Sequence, residues 1–313
     1  MSANSKCDGV LLIGFGGPTR ADQVRPFLDN VLRGRPVPKE RYEAVVHHYD
    51  LLGGRSPYND LAMIQAAALH AELRKKNIPA PVSVGMRNWT PYVVESMRAL
   101  ADGGARRVLG FILAAHRCEA SFERYQETVR EAQATLGERA IEVVYPEPWH
   151  DHPLFIKAVA SRAREAYARL EASERSRAAL IFTAHSIPVA MARAGTYVEQ
   201  LTQSARMVAA ELGIDRWQFA YQSRSGSPRE SWLEPDINAT IRSLDTKLAV
   251  VVPLGFLCDH VEVLYDLDIE TKQIARECGV RMERAPTVGG HPLFIEMMAT
   301  IARPYLAGGA APR

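Results

Sequence analysis

Leu248-Ala249-Val250-Val251-Val252-Pro253-Leu254-Gly255-Phe256-Leu257, followed after Cys258 by Asp259-His260-Val261-Glu262-Val263-Leu264-Tyr265-Asp266-Leu267-Asp268-Ile269-Glu270, is the stretch that decides the fold. The first segment is an apolar run. A strand reads that way when both of its faces are covered, as in a parallel sheet. The second segment reads as a helix in which Glu262, Asp266 and Glu270 stand at i, i+4 and i+8, stacked on one face. Like charges at that spacing repel by about a few tenths of a kcal/mol per pair in open solvent, and by more where water is excluded. A solvated helix face is one home for such a row. A path for cations or protons is the other. The start at the end of a buried strand, with His260 at the head, favours the path, because hard cations take oxygen ligands.

Outward from this stretch the strand–helix alternation continues. Strands are expected at Asp8–Phe15, Pro79–Gly85, Arg107–Ala114 and Ala140–Val144, with helices at Ala21–Leu32, Pro91–Asp102 and Ser121–Leu136. The pattern then restarts. Helices are expected at Pro153–Ala172, Thr196–Leu212, Asp236–Leu244 and His291–Ala302, and strands at Ala178–Thr183, Trp217–Gln222, Lys247–Phe256 and Arg281–Arg284. Alternation of this kind predicts parallel sheets with crossover helices. The fold class is α/β, in two Rossmann-like domains. Tyr145-Pro146-Glu147-Pro148 marks the boundary, giving 1–147 and 148–313, with the last helix free to pack back on the first domain and a frayed Gly/Ala/Pro tail. Ligands of open α/β sheets bind beyond the carboxyl ends of strands. Phe15, Arg87, His116, His185, His260 and Glu262 all follow strands, so facing edges of the two halves would form one cleft.

Composition narrows the function. The 313 residues are 47% hydrophobic and 24% charged, with net charge +2, which suits a soluble protein with sizeable cores. No basic patch interleaved with aromatics points to nucleic acid. No apolar run is long enough to span a bilayer, and the N-terminus reads as neither leader nor anchor, so a cytoplasmic location is expected. Cys7, Cys118, Cys258 and Cys278 are dispersed, which argues against a structural zinc, an iron–sulfur cluster or a disulfide framework. Gly14-x-Gly16-Gly17 fails the dinucleotide spacing, and neither a P-loop nor a G-x-S-x-G elbow is present.

His185 closes a strand before Ser186-Ile187-Pro188, where an imidazole could accept a proton, bind a metal or satisfy a turn. His150 and His152 read as a helix start, His47 and His48 as solvated. Arg33, Arg35, Arg55 and Ser56 cluster around Gly53-Gly54, and guanidinium groups pair carboxylates bidentately. Phe15, Tyr49, Trp89, Phe122, Tyr125 and Trp232 could wall a flat pocket or fill cores.

Side by side, these segments resemble the ferrochelatases, which insert ferrous iron into a porphyrin. The matching motifs are Leu12-Ile13-Gly14-Phe15-Gly16-Gly17-Pro18, Gly53-Gly54-Arg55-Ser56-Pro57, Gly85-Met86-Arg87, Thr183-Ala184-His185-Ser186-Ile187-Pro188, Tyr221-Gln222-Ser223-Arg224 and Gly255 through Glu270. They occur in family order across nearly the whole chain. The resemblance implies a porphyrin cleft between the halves, His185 and Glu262 as the catalytic pair, and a metal path of His185, Glu262, Asp266 and Glu270. It also implies porphyrin contacts from Phe15, Arg33, Tyr49, Arg55, Ser56, Arg87 and Tyr125. Phe15 stands where Gram-positive relatives often carry Tyr, and Arg87 where some carry Lys. The compact length resembles the coproporphyrin III enzymes of Gram-positive bacteria, whereas Ala114-Ala115-His116-Arg117-Cys118-Glu119-Ala120-Ser121 departs from the usual run. Protoporphyrin IX, another tetrapyrrole chelatase, or a porphyrin carrier without turnover are the alternatives. Iron is a substrate, and no organic cofactor is implied. Transient contact with neighbouring haem-pathway enzymes is the one protein partnership the resemblance suggests. At an ordinary pKa of about 6.5, His185 would be largely neutral at cytosolic pH.

Overall fold

A computed structural model describes residues 6–225 and 230–307. They divide into two compact units, and the division is not a single cut. One unit comprises Met1–Ala114, Ala120–Trp149 and Gly290–Arg313, the other Ala115–Glu119 and His150–Gly289.

In the first unit, β1 (Gly9–Gly14) is buried at every position, followed by α1 (Val24–Leu32), α2 (Lys39–Leu51) and α3 (Tyr58–Lys75). Then come β2 (Val82–Met86), α4 (Val93–Asp102), β3 (Arg107–Ile112), α5 (Arg124–Leu136) and β4 (Glu142–Val144). The sheet is parallel, in the order β2-β1-β3-β4. The apolar strands and α4 and α5 enclose a core around Leu11, Ile13, Met97, Val108 and Ile112. Parallel strands covered on both faces need such apolar runs.

The second unit contains α6 (Pro153–Tyr167), β5 (Ala179–His185), α7 (Val189–Arg193), α8 (Tyr197–Leu212), β6 (Trp217–Gln222), α9 (Ile237–Arg242) and β7 (Leu248–Val252). A helical rod follows: α10 (Val261–Val263), a π-helix (Leu264–Thr271) and α11 (Lys272–Glu277), before β8 (Arg281–Arg284). This sheet is also parallel, in the order β6-β5-β7-β8. It repeats the strand order of the first. The final helix, α12 (Pro292–Ala307), packs on α3 in the first unit, with Trp149 against Phe294 at 5.9 Å. The C-terminal tail expected to fray lies outside the described residues.

Two differences from the sequence reading have physical reasons. Helix α3 was not expected, and α2 was foreseen only as a polar, helix-like stretch around His47 and His48. The buried face of α3 is Tyr58, Ala62, Gln65, Ala66, Leu69 and Leu73, and its alanines and glutamine blunt the hydropathy contrast that signals a helix. The acidic segment is helical, but its middle is π-wound. Its buried side chains, Val263, Leu267, Thr271 and Ala275, repeat strictly every four residues. Around an α-helix such a stripe overshoots a turn by about 40° per step. The wider π turn, with i→i+5 bonds, offsets that drift.

Candidate active site

β5 leads to β6 on one side of the sheet, and the chain then returns to place β7 on the other. The carboxyl ends of β5 and β7 therefore flank a topological switch point, where open α/β sheets bind ligands. His185 ends β5, and Glu262 opens the rod beyond β7. His185 Nε2 and Glu262 Oε1 lie 3.5 Å apart. The other ring nitrogen, Nδ1–H, donates to the Ser186 carbonyl, which leaves Nε2 as the proton-accepting atom. The buried Tyr197 donates its hydroxyl to the His185 carbonyl at 3.1 Å.

Charge couples the pair. Burial pulls the His185 pKa down, but the Glu262 carboxylate, the hydrogen bonds to Glu262 and Ser186 and the charge of Asp266 outweigh it, and the net shift is upward. This neighbourhood raises the His185 pKa above the ordinary value that was expected. Burial pushes the Glu262 pKa up, but His185 and His260 hold it at about 2. The Glu262 side chain keeps 40% of its exposure, so solvent screens part of that attraction. Burial lifts Asp266 to about 7, with Glu262 and Glu270 adding to the lift and its bond from Ser223 opposing it.

The predicted ladder divides. Asp266 accepts a hydrogen bond from Ser223, whose backbone is left-handed at φ 62°, a costly conformation for a residue with a Cβ. Glu270 is exposed and takes the Asn238 amide at 2.8 Å. Among the described residues no three His, Cys, Asp or Glu side chains gather as a metal-holding cluster. His260 does not lead the row as a free ligand. Its Nδ1 accepts from the Glu262 backbone N–H at 3.2 Å, capping the helix. His152 caps α6 in the same way.

The porphyrin-contact candidates all lie in the first unit. Phe15 is 37% exposed just past β1. Its ring packs edge-on to Phe27 at 6.2 Å, and Phe27 also meets Tyr49 and Trp89. Tyr49 and Ser56 are buried. The Ser56 hydroxyl accepts from Tyr58 N–H at 3.3 Å. Arg33 is exposed near Glu131 at 3.5 Å. Arg55 pairs with Asp60 at 2.5 Å. Arg87 is half-buried, and burial together with the charge of Arg33 lowers its pKa, against the opposing influence of Tyr125. Its Nε is buried without a hydrogen-bond partner. Arg33, Arg87 and Tyr125 thus form one electrostatic neighbourhood, while Arg55 stands apart with Asp60. The glycines of the first motif serve close packing. Gly16 takes φ 88°, and a Cβ on Gly17 would fall 2.8 Å from Ser56 Cβ.

Sequence reasoning gave no role to Tyr197, Arg284 or Asn238. Arg284, on β8, grips Asp268 through two bonds of 2.7 Å and reaches Asp259 at 3.2 Å. None of the three carries a local signal, because each acts on residues at least a dozen positions away.

Comparison with known proteins identifies the family. Residues 7–306 match the model of the ferrochelatase family. A ferrochelatase of Rhodopirellula baltica is 40% identical, covering 98% of this chain and 88% of that protein. A coproporphyrin III ferrochelatase of Mycolicibacterium smegmatis is also 40% identical, covering 96% and 90%. SirB of Bacillus subtilis, solved with Fe3+, superposes with a TM-score of 0.59 at 13% identity, covering 96% of this chain and 95% of that one, a likeness of fold. On the match across the whole chain and the relatives at 40% identity, this protein belongs to the ferrochelatase family.

Proposed function

We propose that this protein inserts ferrous iron into coproporphyrin III, with His185 and Glu262 as the catalytic pair. The carrying observation is the 3.5 Å approach of His185 Nε2 to Glu262 Oε1 at the switch point of the second sheet. Insertion requires that two pyrrole N–H protons leave as Fe2+ enters, that the ion shed water, and that the macrocycle bend. His185 Nε2 is the first proton acceptor, held in place by Ser186 and Tyr197. Glu262 stabilises the imidazolium that results. Asp266, with a pKa of about 7, passes a proton on at neutral pH, since general acid–base groups work best near the operating pH. Glu270 forms the outer end of the row. Arg33, Arg87 and Tyr125 grip propionates, with Arg55 and Ser56 beside the Gly-Gly turn, and Phe15 and Tyr49 support the ring. Binding at the rim offsets the cost of bending.

The substrate reading is supported by relatives named for coproporphyrin III. It also fits the chemistry: four propionates offer two more carboxylates than protoporphyrin IX, each charge-assisted hydrogen bond contributing about 1.5–3 kcal/mol. Iron is substrate, and we assign no resident cofactor. Cys7, Cys118, Cys258 and Cys278 are not joined by disulfides. No helix among the described residues is long and apolar enough to cross a membrane. Steady-state kcat/KM on coproporphyrin III and protoporphyrin IX decides the substrate. A ratio at or below one overturns the coproporphyrin reading and leaves iron insertion standing. Absence of Fe2+-dependent loss of porphyrin fluorescence with either ring points instead to a carrier.

A further inference from the structure

Strand β6 ends in a buried side chain that touches the main chain beside both members of the pair. Gln222 is 2% exposed and stands opposite His185 in the β5–β6 register. Its main-chain carbonyl accepts from Ser186 N–H at 2.7 Å. Its side-chain Nε2–H donates to the main-chain carbonyl of Glu262 at 2.5 Å. That carbonyl can only accept, so the amide orientation is determined, and Oε1 points away from the pair. Oε1 is buried without a hydrogen-bond partner, and so is the indole Nε1–H of Trp232. Gln222 and Trp232 line one cleft of about 40 Å³, together with Ser186, Tyr221, Leu233 and Asp236. An acceptor and a donor left buried and unmet are costly. Water satisfies one of each, and since a bound water needs only about 10–15 Å³ of such space, the cleft has room for it.

We propose that Gln222 is a positioning residue that sets Glu262 against His185, locked by ordered water bound in this cleft to Gln222 Oε1 and Trp232 Nε1–H. The inference rests on the iron-insertion reading for its kinetic consequence, but not for its structural one. Without the water, the amide gains by rotating toward another partner, and the Glu262 carbonyl loses its donor. Glu262 then drifts from His185 while the porphyrin contacts in the first unit stay intact.

The test uses the full chain as wild type, Trp232→Phe and Gln222→Leu, each crystallised at high resolution and assayed for kcat, KM and Tm. Wild-type crystals are expected to show ordered water bonded to both atoms. Trp232→Phe is expected to lose it, to shift Glu262, and to lower kcat about five- to tenfold, as loss of one buried hydrogen bond implies, with KM for porphyrin within about twofold. Gln222→Leu should lower kcat at least as much. The proposal is overturned by wild-type crystals without water at these atoms, by Glu262 unmoved in Trp232→Phe, or by a variant whose KM rises while kcat holds. Should the wild type insert no iron, the iron-insertion reading fails alone, because water and the Glu262 position are still read crystallographically. Should Trp232→Phe not fold, Gln222→Leu and the wild-type density still decide the matter.

Discussion

Five carboxylates lie between residues 259 and 270, and the fold provides for them in opposite ways. Asp259 and Asp268 share one guanidinium, that of Arg284, whose side chain is only 13% exposed. Glu262, Asp266 and Glu270 meet instead an imidazole, a hydroxyl and an amide. A guanidinium keeps its charge at every physiological pH, so Asp259 and Asp268 are anchored and act as structure. An imidazole gains and loses a proton near neutrality. The row it faces can therefore exchange protons, and burial, with the uncompensated repulsion from Glu262 and Glu270 added, lifts Asp266 toward 7. One helical rod thus has a bolted set of carboxylates and a responsive set, distinguished by whether the partner is permanently charged.

The comparison breaks most sharply at the responsive set. His185→Ala is expected to lower iron insertion by about 10²–10⁴, the usual worth of a positioned base, while porphyrin still binds. Stopped-flow metallation within about tenfold of wild type would remove His185 from the mechanism. Glu262→Gln should cost somewhat less in rate and also move the pH profile. A base with a raised pKa stays protonated and idle until the pH passes that value, so the acid limb of kcat/KM in the wild type should lie above about 6.5. Removing the carboxylate removes the upward pull, and the limb should move to lower pH. A limb that stays put in Glu262→Gln but moves in Asp266→Asn would assign it to Asp266 instead.

The bolted set predicts a different phenotype. Arg284→Met leaves Asp259 and Asp268 without their cation and should lower stability by about 2–3 kcal/mol, less than the 3–5 of a wholly buried pair because both aspartates keep some solvent. Denaturant unfolding measures this. An unchanged midpoint would show that the pair anchors nothing. The smallest effect is expected at Glu270→Gln, on the exposed end of the row. The apparent KM for Fe2+ should rise by about twofold to threefold at nearly constant kcat, as expected for loss of one screened surface charge. A loss equal to that of Glu262→Gln would contradict a graded path.

Much of the site was legible because its residues are adjacent in sequence or follow strands. His185 ends an apolar strand, Glu262 begins an acidic repeat, and strand ends in a parallel sheet are where chemistry collects. The π winding was latent in the same segment, since Val263, Leu267, Thr271 and Ala275 repeat every four residues as strictly as the carboxylates do. The reading assumed an α-helix because the charged stripe was followed and the apolar one was not. Helix α3 escaped for the opposite reason: its buried face is made of alanine and glutamine as much as leucine.

By itself the amino-acid sequence determined the alternation of strand and helix, the parallel sheets and which residues stand as acid–base candidates. Apolar runs, period and turn residues are local properties, and the chemistry of a side chain is its own. Tertiary structure alone decided the protonation tendencies and the partners: that His185 is drawn upward by Glu262, that Asp266 is lifted, and that Arg284 reaches back to Asp268. These depend on distances of a few ångströms between residues far apart in the chain, and on how much water lies between them. Electrostatic interaction falls with distance and with solvent access, and neither quantity is written in the order of residues.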